Sequence, residues 1–243
     1  MKVIFLGTAG YHPTADRQTA AIWLPEVRLL LDAGTSIYRV LAELHGEFHV
    51  LLSHAHLDHV CGLTYLAAPL AAGTIGPCHL WCHPSVREIV TQHLFHPGLF
   101  PLKAPFQWHD LSQPVTLSGI TITTHALLHP GGSWGFRLDR PDGQTLAYIT
   151  DTQVDERYHE FLNNVDVLIH ECHFADEQAA HCPITGHSHL SMVVSLAHAL
   201  KIPRTYLTHI GPNMPAQFIE EVQRSRHFYP GVQIAHDMLV IDW

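Results

Sequence analysis

The sequence predicts an α/β protein, a layered sandwich of two β-sheets with helices outside. Three observations carry this expectation. Short β-like runs recur in both halves of the chain, segments of helical periodicity separate some of them, and neither an internal repeat nor a low-complexity tract beyond general His enrichment interrupts the pattern. Val3 to Leu6 opens the chain as a short apolar run closed by Gly7. Gly7-Thr8-Ala9-Gly10 lacks the Gly-Lys-Thr ending of a phosphate loop and reads as a strand-end turn. Strands are expected next over Ala20 to Leu24 and Arg28 to Leu31, a helix over Thr35 to Leu44, a strand over Phe48 to Leu52 and a helix over Val60 to Leu70. Cys78-His79-Leu80-Trp81-Cys82-His83 has no second Cys or His pair at zinc-finger spacing, so it reads as a strand leading into a helix over Ser85 to Leu94. The proline-rich stretch Phe95 to Pro105 is expected as a loop or lid. Strands follow over Val115 to Leu117, Ile120 to His125, Trp134 to Leu138, Thr145 to Thr150 and Val165 to His170. A helix over Leu190 to Leu200, a strand over Arg204 to Thr208, a helix over Ala216 to Arg226 and a strand over Met238 to Ile241 complete the order.

With 243 residues, 47% of them hydrophobic, the chain has material for a substantial core and is expected to form a single domain, 1–243. The N-terminal run has neither the apolar length nor the cleavage site of a signal peptide, and no stretch approaches the roughly 20 apolar residues of a membrane span. A cytoplasmic protein with no membrane partner is the expectation. Five cysteines, an odd count, argue for free thiols in a reducing compartment. Thirteen Lys and Arg against 22 Asp and Glu give a formal charge of −9, which makes long nucleic acid a poor partner.

Chemistry concentrates in Ser53-His54-Ala55-His56-Leu57-Asp58-His59, directly after the Phe48 to Leu52 run. In an extended segment alternate side chains share a face, so His54 and His56 can grip one ion together. Asp58 and His59 fall where the chain turns into the next helix and point elsewhere, which suits a second ion. Three further ligand-type residues close β-like runs: His129 shortly after Ile120 to His125, Asp151 after Ala147 to Thr150, and His209 after Tyr206 to Thr208. Loops at strand ends are where a rigid scaffold presents functional groups. Asp151-Thr152 also reads as a helix N-cap for a segment starting near Val154.

Together these residues resemble the metallo-β-lactamase superfamily over essentially the whole chain. Its His-x-His-x-Asp-His signature matches residues 54 to 59, its isolated third-motif His matches His129, its bridging Asp matches Asp151, and its last His matches His209 in Leu207-Thr208-His209-Ile210. The resemblance implies an αββα sandwich, two mixed sheets with helices on the outer faces. It further implies two divalent metal ions, one held by His54, His56 and His129 and the other by Asp58, His59 and His209, with Asp151 bridging. Zn²⁺ suits such nitrogen-rich sites best, and Mn²⁺ and Fe²⁺ are compatible.

The chain is more similar to the phosphodiesterase branch, which includes ribonuclease Z and the cyclic-phosphate phosphodiesterase of phosphonate breakdown. That branch carries a further His ahead of a helix, matched by His187 in Gly186-His187-Ser188-His189, with His189 as the neighbouring alternative. Asp58 and His187 are therefore the candidate catalytic residues. His170-Glu171 and His173, at another strand end, read equally as support for His187 or as structural groups. Ribonuclease Z enzymes grasp transfer RNA with an inserted arm between the third-motif His and the bridging Asp, but only residues 131 to 150 lie there. The function expected is hydrolysis of a small or cyclic phosphodiester through a metal-bridging hydroxide. The alternatives are lactone or thioester hydrolysis on the same fold and tRNA 3′-end cleavage of the ribonuclease Z type. A homodimer is an arrangement the resemblance also implies.

Overall fold

The computed structural model describes residues 1–103 and 105–243; residue 104, inside the proline-rich segment expected as a loop, lies outside the described residues. The chain divides into two compact units, Met1–Gln113 with Asp237–Asp242, and Pro114–His236 with Trp243. In the first unit the strands are β1 (Lys2–Gly7), β2 (Ala21–Leu24), β3 (Leu29–Leu31), β4 (Phe48–Leu52), β5 (Cys78–Cys82) and β6 (Gln107–Asp110). The second unit supplies β7 (Val115–Leu117), β8 (Ile120–Leu127), β9 (Ser133–Asp139), β10 (Thr145–Ile149), β11 (Val167–Glu171), β12 (Arg204–Thr208) and β13 (Val232–Ile234); the last strand, β14 (Leu239–Asp242), returns to the first.

Each unit is built on one seven-stranded mixed sheet, ordered β14-β1-β2-β3-β4-β5-β6 in the first and β13-β12-β11-β10-β9-β8-β7 in the second. The direction changes inside each sheet follow from the connections. β2 to β3 and β7 to β10 are joined by short links and pair antiparallel, as β1 does with β2 across the longer stretch 8–20, whereas β3 to β6 and β10 to β13 are parallel and need crossovers. Helices make several of these crossovers: α1 (Leu57–Val60) and α2 (Leu63–Ala71) between β4 and β5, and α3 (Pro84–Ile89), which passes into a π-turn at Val90–Leu94, between β5 and β6. In the second unit α4 (Cys182–Thr185) and α5 (Leu190–Ala199) connect β11 to β12, and α6 (Phe218–Phe228) connects β12 to β13. The central parallel strands read as unbroken apolar runs because both faces are covered: every residue of β10 and β11 is buried. Leu168, Val193, Leu196, Ala197, Leu207 and Val232 carry the core where α5 packs on this sheet.

Two strands escaped the sequence pattern. Gln107-Trp108-His109-Asp110 is polar and β13 is three residues long, and both lie at sheet edges where pairing with one neighbour, not an apolar face, makes the strand. The helix expected over Thr35 to Leu44 is instead two 3-10 turns, Thr35–Arg39 and Leu41–Glu43. Side chains there bond across to residue 19 in place of building a helix: Thr35 Oγ1 accepts from the Thr19 amide at 2.9 Å and Ser36 Oγ donates to the Thr19 carbonyl at 2.8 Å. The helix expected from Val60 starts earlier, as α1, and is interrupted at Gly62. Five free cysteines are present, four of them buried, and burial pushes the Cys78 and Cys172 thiols well up and that of Cys82 to about 12. Among the described residues no helix is long and apolar enough to cross a membrane.

Gly62 and Gly34 lock α1 to the end of β3. The Gly62 amide donates to the Ala33 carbonyl and the Ala33 amide to the His59 carbonyl, each at 2.8 Å. A Cβ at Gly62 would fall 2.2 Å from the Gly34 carbonyl oxygen, a backbone atom with nowhere to go. Gly62→Ala should therefore cost about 2 kcal/mol or more, read as a lower urea midpoint at unchanged slope. Gly98→Ala, where only the His96 ring comes as near as 3.2 Å, should leave the midpoint almost unmoved.

Candidate metal centre

In the first unit the site residues follow the carboxyl ends of β3 and β4, the place where open parallel sheets present ligands. His54 is buried, His56 is exposed as the N-cap of α1, and Asp58 and His59 sit in its single turn. The His54 ring is 4.6 Å from that of His56 and 4.3 Å from that of His59, centroid to centroid, and Asp58 Oδ2 is 3.6 Å from His59 Nε2. Asp58 Oδ2 also accepts from the Tyr11 amide at 2.8 Å. The four ligand-type residues of the signature are thus one cluster, with Asp58 and His59 inside the helix start, not ahead of it.

Behind them stands a residue the sequence analysis missed. Asp32 is fully buried, at the end of β3, in the left-handed region with φ 60°. Its Oδ1 accepts from the Ser53 amide at 2.8 Å, and its Oδ2 accepts from Ser53 Oγ and lies against His59 Nδ1, both at 2.8 Å. Ser53 Oγ in turn touches His54 Nδ1 at 2.9 Å. One carboxylate therefore orients two imidazoles. The signal was available: Asp32 closes Leu29-Leu30-Leu31 just as Asp151 closes Tyr148-Ile149-Thr150.

In the second unit His129, Asp151 and His209 come together. Asp151 is buried after β10, and its two oxygens face different rings: Oδ2 is 3.6 Å from His129 Nε2 and Oδ1 is 3.2 Å from His209 Nε2. Asp151 caps no helix; the segment after it runs to Asp155, which caps the turn Glu156–Tyr158 instead. His129 Nδ1 contacts the Gly186 carbonyl at 2.9 Å. Gly186 has φ 71°, and a Cβ there would meet Pro130 Cδ at 2.4 Å, so glycine is what lets the α4 terminus seat His129.

His187 also belongs to this group, whereas His189 does not. The His187 ring lies 4.9 Å from His129 and 5.3 Å from His209, centroid to centroid. His189 is the N-cap of α5 and its Nδ1 is 2.7 Å from Asp176 Oδ1. Glu171, fully buried at the end of β11, holds His187 Nδ1 at 2.8 Å and accepts from the amides of Thr152, His173 and Ser188. Burial works to raise its carboxyl, but the charge and hydrogen bond of His187, then His209, bring it below the usual carboxylate range. His173 stacks on His187 at 4.3 Å and 15°, with its Nδ1 3.3 Å from His209 Nδ1. Burial drives His173 down to about 3, with His209 and His187 adding to the effect. His170 bonds Tyr158 and the Glu171 carbonyl and is a structural group.

The donor chemistry fits divalent metals. In His54, His59, His129 and His209 the Nδ1 atom is engaged by a hydroxyl, a carboxylate, a carbonyl and an imidazole respectively, which presents Nε2 as the ligand nitrogen. The clusters are imidazoles with carboxylates, suited to Zn²⁺ and its neighbours.

Residues 27–210 match the family described as beta-lactamase superfamily domain. A curated relative, the ribonuclease Z of Pyrobaculum calidifontis, is 30% identical over 96% of this chain and 92% of its own length. Among solved structures, the metallo-beta-lactamase fold protein YhfI of Bacillus subtilis superposes with a TM-score of 0.82 at 22% identity, covering 99% of this chain and 98% of its own. A diphosphatase from the PhnP family does so at 0.75 and 22%, covering 100% and 97%. The two mixed sheets with their helices are thus the metallo-β-lactamase fold, and the chain belongs to the beta-lactamase superfamily, as a hydrolase whose relatives include ribonuclease Z.

Proposed function

We propose that this protein is a binuclear metal-dependent phosphodiesterase acting on a small or cyclic phosphodiester. In this reading His54, His56 and His129 hold one divalent ion, Asp58, His59 and His209 hold the other, and Asp151 is shared, within a single domain of residues 1–243. The pose of Asp151 carries the reading: one carboxylate oxygen faces His129 and the other His209, as a ligand common to two ions requires. Zinc is the favoured ion, with Mn²⁺ and Fe²⁺ compatible. When bound, the ions supply Lewis acidity and an activated water at neutral pH.

The chain's own groups do the rest. Asp58, fixed by the Tyr11 amide, orients the attacking water and accepts its proton. His187, protonated on both ring nitrogens, delivers its Nε2 proton to the leaving oxygen, while Glu171 accepts from Nδ1–H and offsets the positive charge of the ring. A compact substrate is favoured by the formal charge of −9 and by the segment between His129 and Asp151, which β9 and β10 take up as a hairpin with a turn at residues 140–144. The ribonuclease Z relative favours tRNA 3′-end cleavage as the second reading.

A panel of bis-(p-nitrophenyl) phosphate, a cyclic nucleotide, a precursor tRNA and a lactone, assayed on metal-loaded protein, separates these readings. The small diesters should turn over fastest; faster cleavage of the precursor tRNA or of the lactone overturns the assignment. Asp151→Ala should abolish hydrolysis almost completely. His187→Ala should lower kcat by about 10² to 10⁴ with little change in KM. Glu171→Gln should lower it less, and His189→Ala should leave it within a few-fold of the parent; equal losses in the two His variants would remove His187 from its role.

A further inference from the structure

The first sheet carries another group of imidazoles, apart from the strand-end donors. Along β5 the side chains alternate, with Cys78, Leu80 and Cys82 buried and His79 and Trp81 half-buried on the opposite face. That alternation separates the cysteines from the histidine and removes a zinc knuckle here. His49 of β4 pairs with His79, and His109 of the edge strand β6 pairs with Trp81. The rings form one layer: His49 and His79 are 5.1 Å apart, His79 and His109 5.0 Å, and Trp81 and His109 4.2 Å with planes 17° apart.

Their hydrogen bonds fix which nitrogen carries a lone pair. Glu47 Oε1 lies 3.0 Å from His79 Nε2, so that nitrogen holds the proton and Nδ1 is the acceptor. His79 Nδ1 is 2.8 Å from His109 Nε2, which donates to it. Trp81 Nε1 donates to His49 Nδ1 at 3.2 Å, so His49 keeps its proton on Nε2 and offers no lone pair. Burial, with His79 adding to it, lowers both His49 and His109, which favours the neutral ring that His109 needs to ligate.

We propose that His79 Nδ1 and His109 Nε2 form a two-histidine site for a divalent transition metal, Cu²⁺ binding more tightly than Zn²⁺, with Glu47 supporting His79 and His49 taking no part. A carboxylate on the far nitrogen of a ligating histidine orients the ring and raises its basicity. Two imidazoles bound cis at about 2.0 Å in the tetragonal geometry of Cu²⁺ stand about 2.8 Å apart, the spacing this pair already has, whereas tetrahedral Zn²⁺ would open the pair to about 3.4 Å. On loading, His109 moves its proton from Nε2 to Nδ1, and solvent fills the remaining positions. The ion clips β6 to the sheet. Among the described strands β6 pairs with β5 alone, so the consequence is a firmer sheet edge.

The test titrates zinc-loaded full-length protein with Cu²⁺, reading bound metal after gel filtration and the electron paramagnetic resonance spectrum. Wild type should retain one more equivalent of Cu²⁺ than His79→Gln or His109→Gln, with nitrogen splitting that both variants lose, while His49→Phe binds as wild type. Amide exchange over Gln107–Asp110 should slow about tenfold with Cu²⁺ in wild type and stay unchanged in His109→Gln. Equal metal content in wild type and His109→Gln, or loss of the equivalent in His49→Phe alone, overturns the site.

Discussion

Each half of this molecule is organised around one buried carboxylate. Asp32 in the first unit and Glu171 in the second are both wholly withdrawn from solvent, a position that is severely unfavourable for a charge unless every lone pair finds a donor. Both solve the problem in the same way. Asp32 accepts from the Ser53 amide and hydroxyl and faces His59; Glu171 accepts from three backbone amides and faces His187. The price of burial is thereby turned into orientation, because the chain can satisfy these carboxylates only by placing the functional imidazoles beside them. Rigid strand ends and dense donor networks are two aspects of one constraint.

Much of this was legible in the sequence. The heptapeptide 53–59 declares itself because its donors are adjacent in the chain, and Asp151 and His209 declare themselves as charged or imidazole residues closing apolar runs. Central strands such as β4, β5 and β12 match their expected bounds, since their apolar runs are set by burial. What escaped was what depends on neighbours distant in sequence. Asp32 acquires its meaning only from Ser53 and His59, 21 and 27 residues on, and His173 only from the rings it meets. β6 is a strand because β5 is beside it, not because Gln107-Trp108-His109-Asp110 prefers one.

Backbone strain collects at the same places. Asp32 and His209 both adopt the left-handed region without being glycine, at φ 60° and 53°. Such conformations cost of order 1 kcal/mol or more and persist where the surroundings leave no alternative. Here they fall on the residues that directly follow β3 and β12, where Asp32 meets Ser53 and His59, and His209 meets Asp151. Gly186 makes the complementary move, using glycine where a side chain would collide with Pro130.

The hairpin of β9 and β10 makes the tip at residues 140–144 a natural grafting point. Its turn is closed by the Arg140 amide on the Gln144 carbonyl and by Gly143 on Arg140, while the strands are registered from Phe136–Tyr148 to Asp139–Thr145. Loop-closure cost rises only slowly with length, so polypeptide spliced into that bend leaves the pairing, and with it the placement of Asp151, undisturbed. Recognition of bulkier molecules can therefore be gained or discarded by lengthening one reverse turn, while the reactive groups stay fixed.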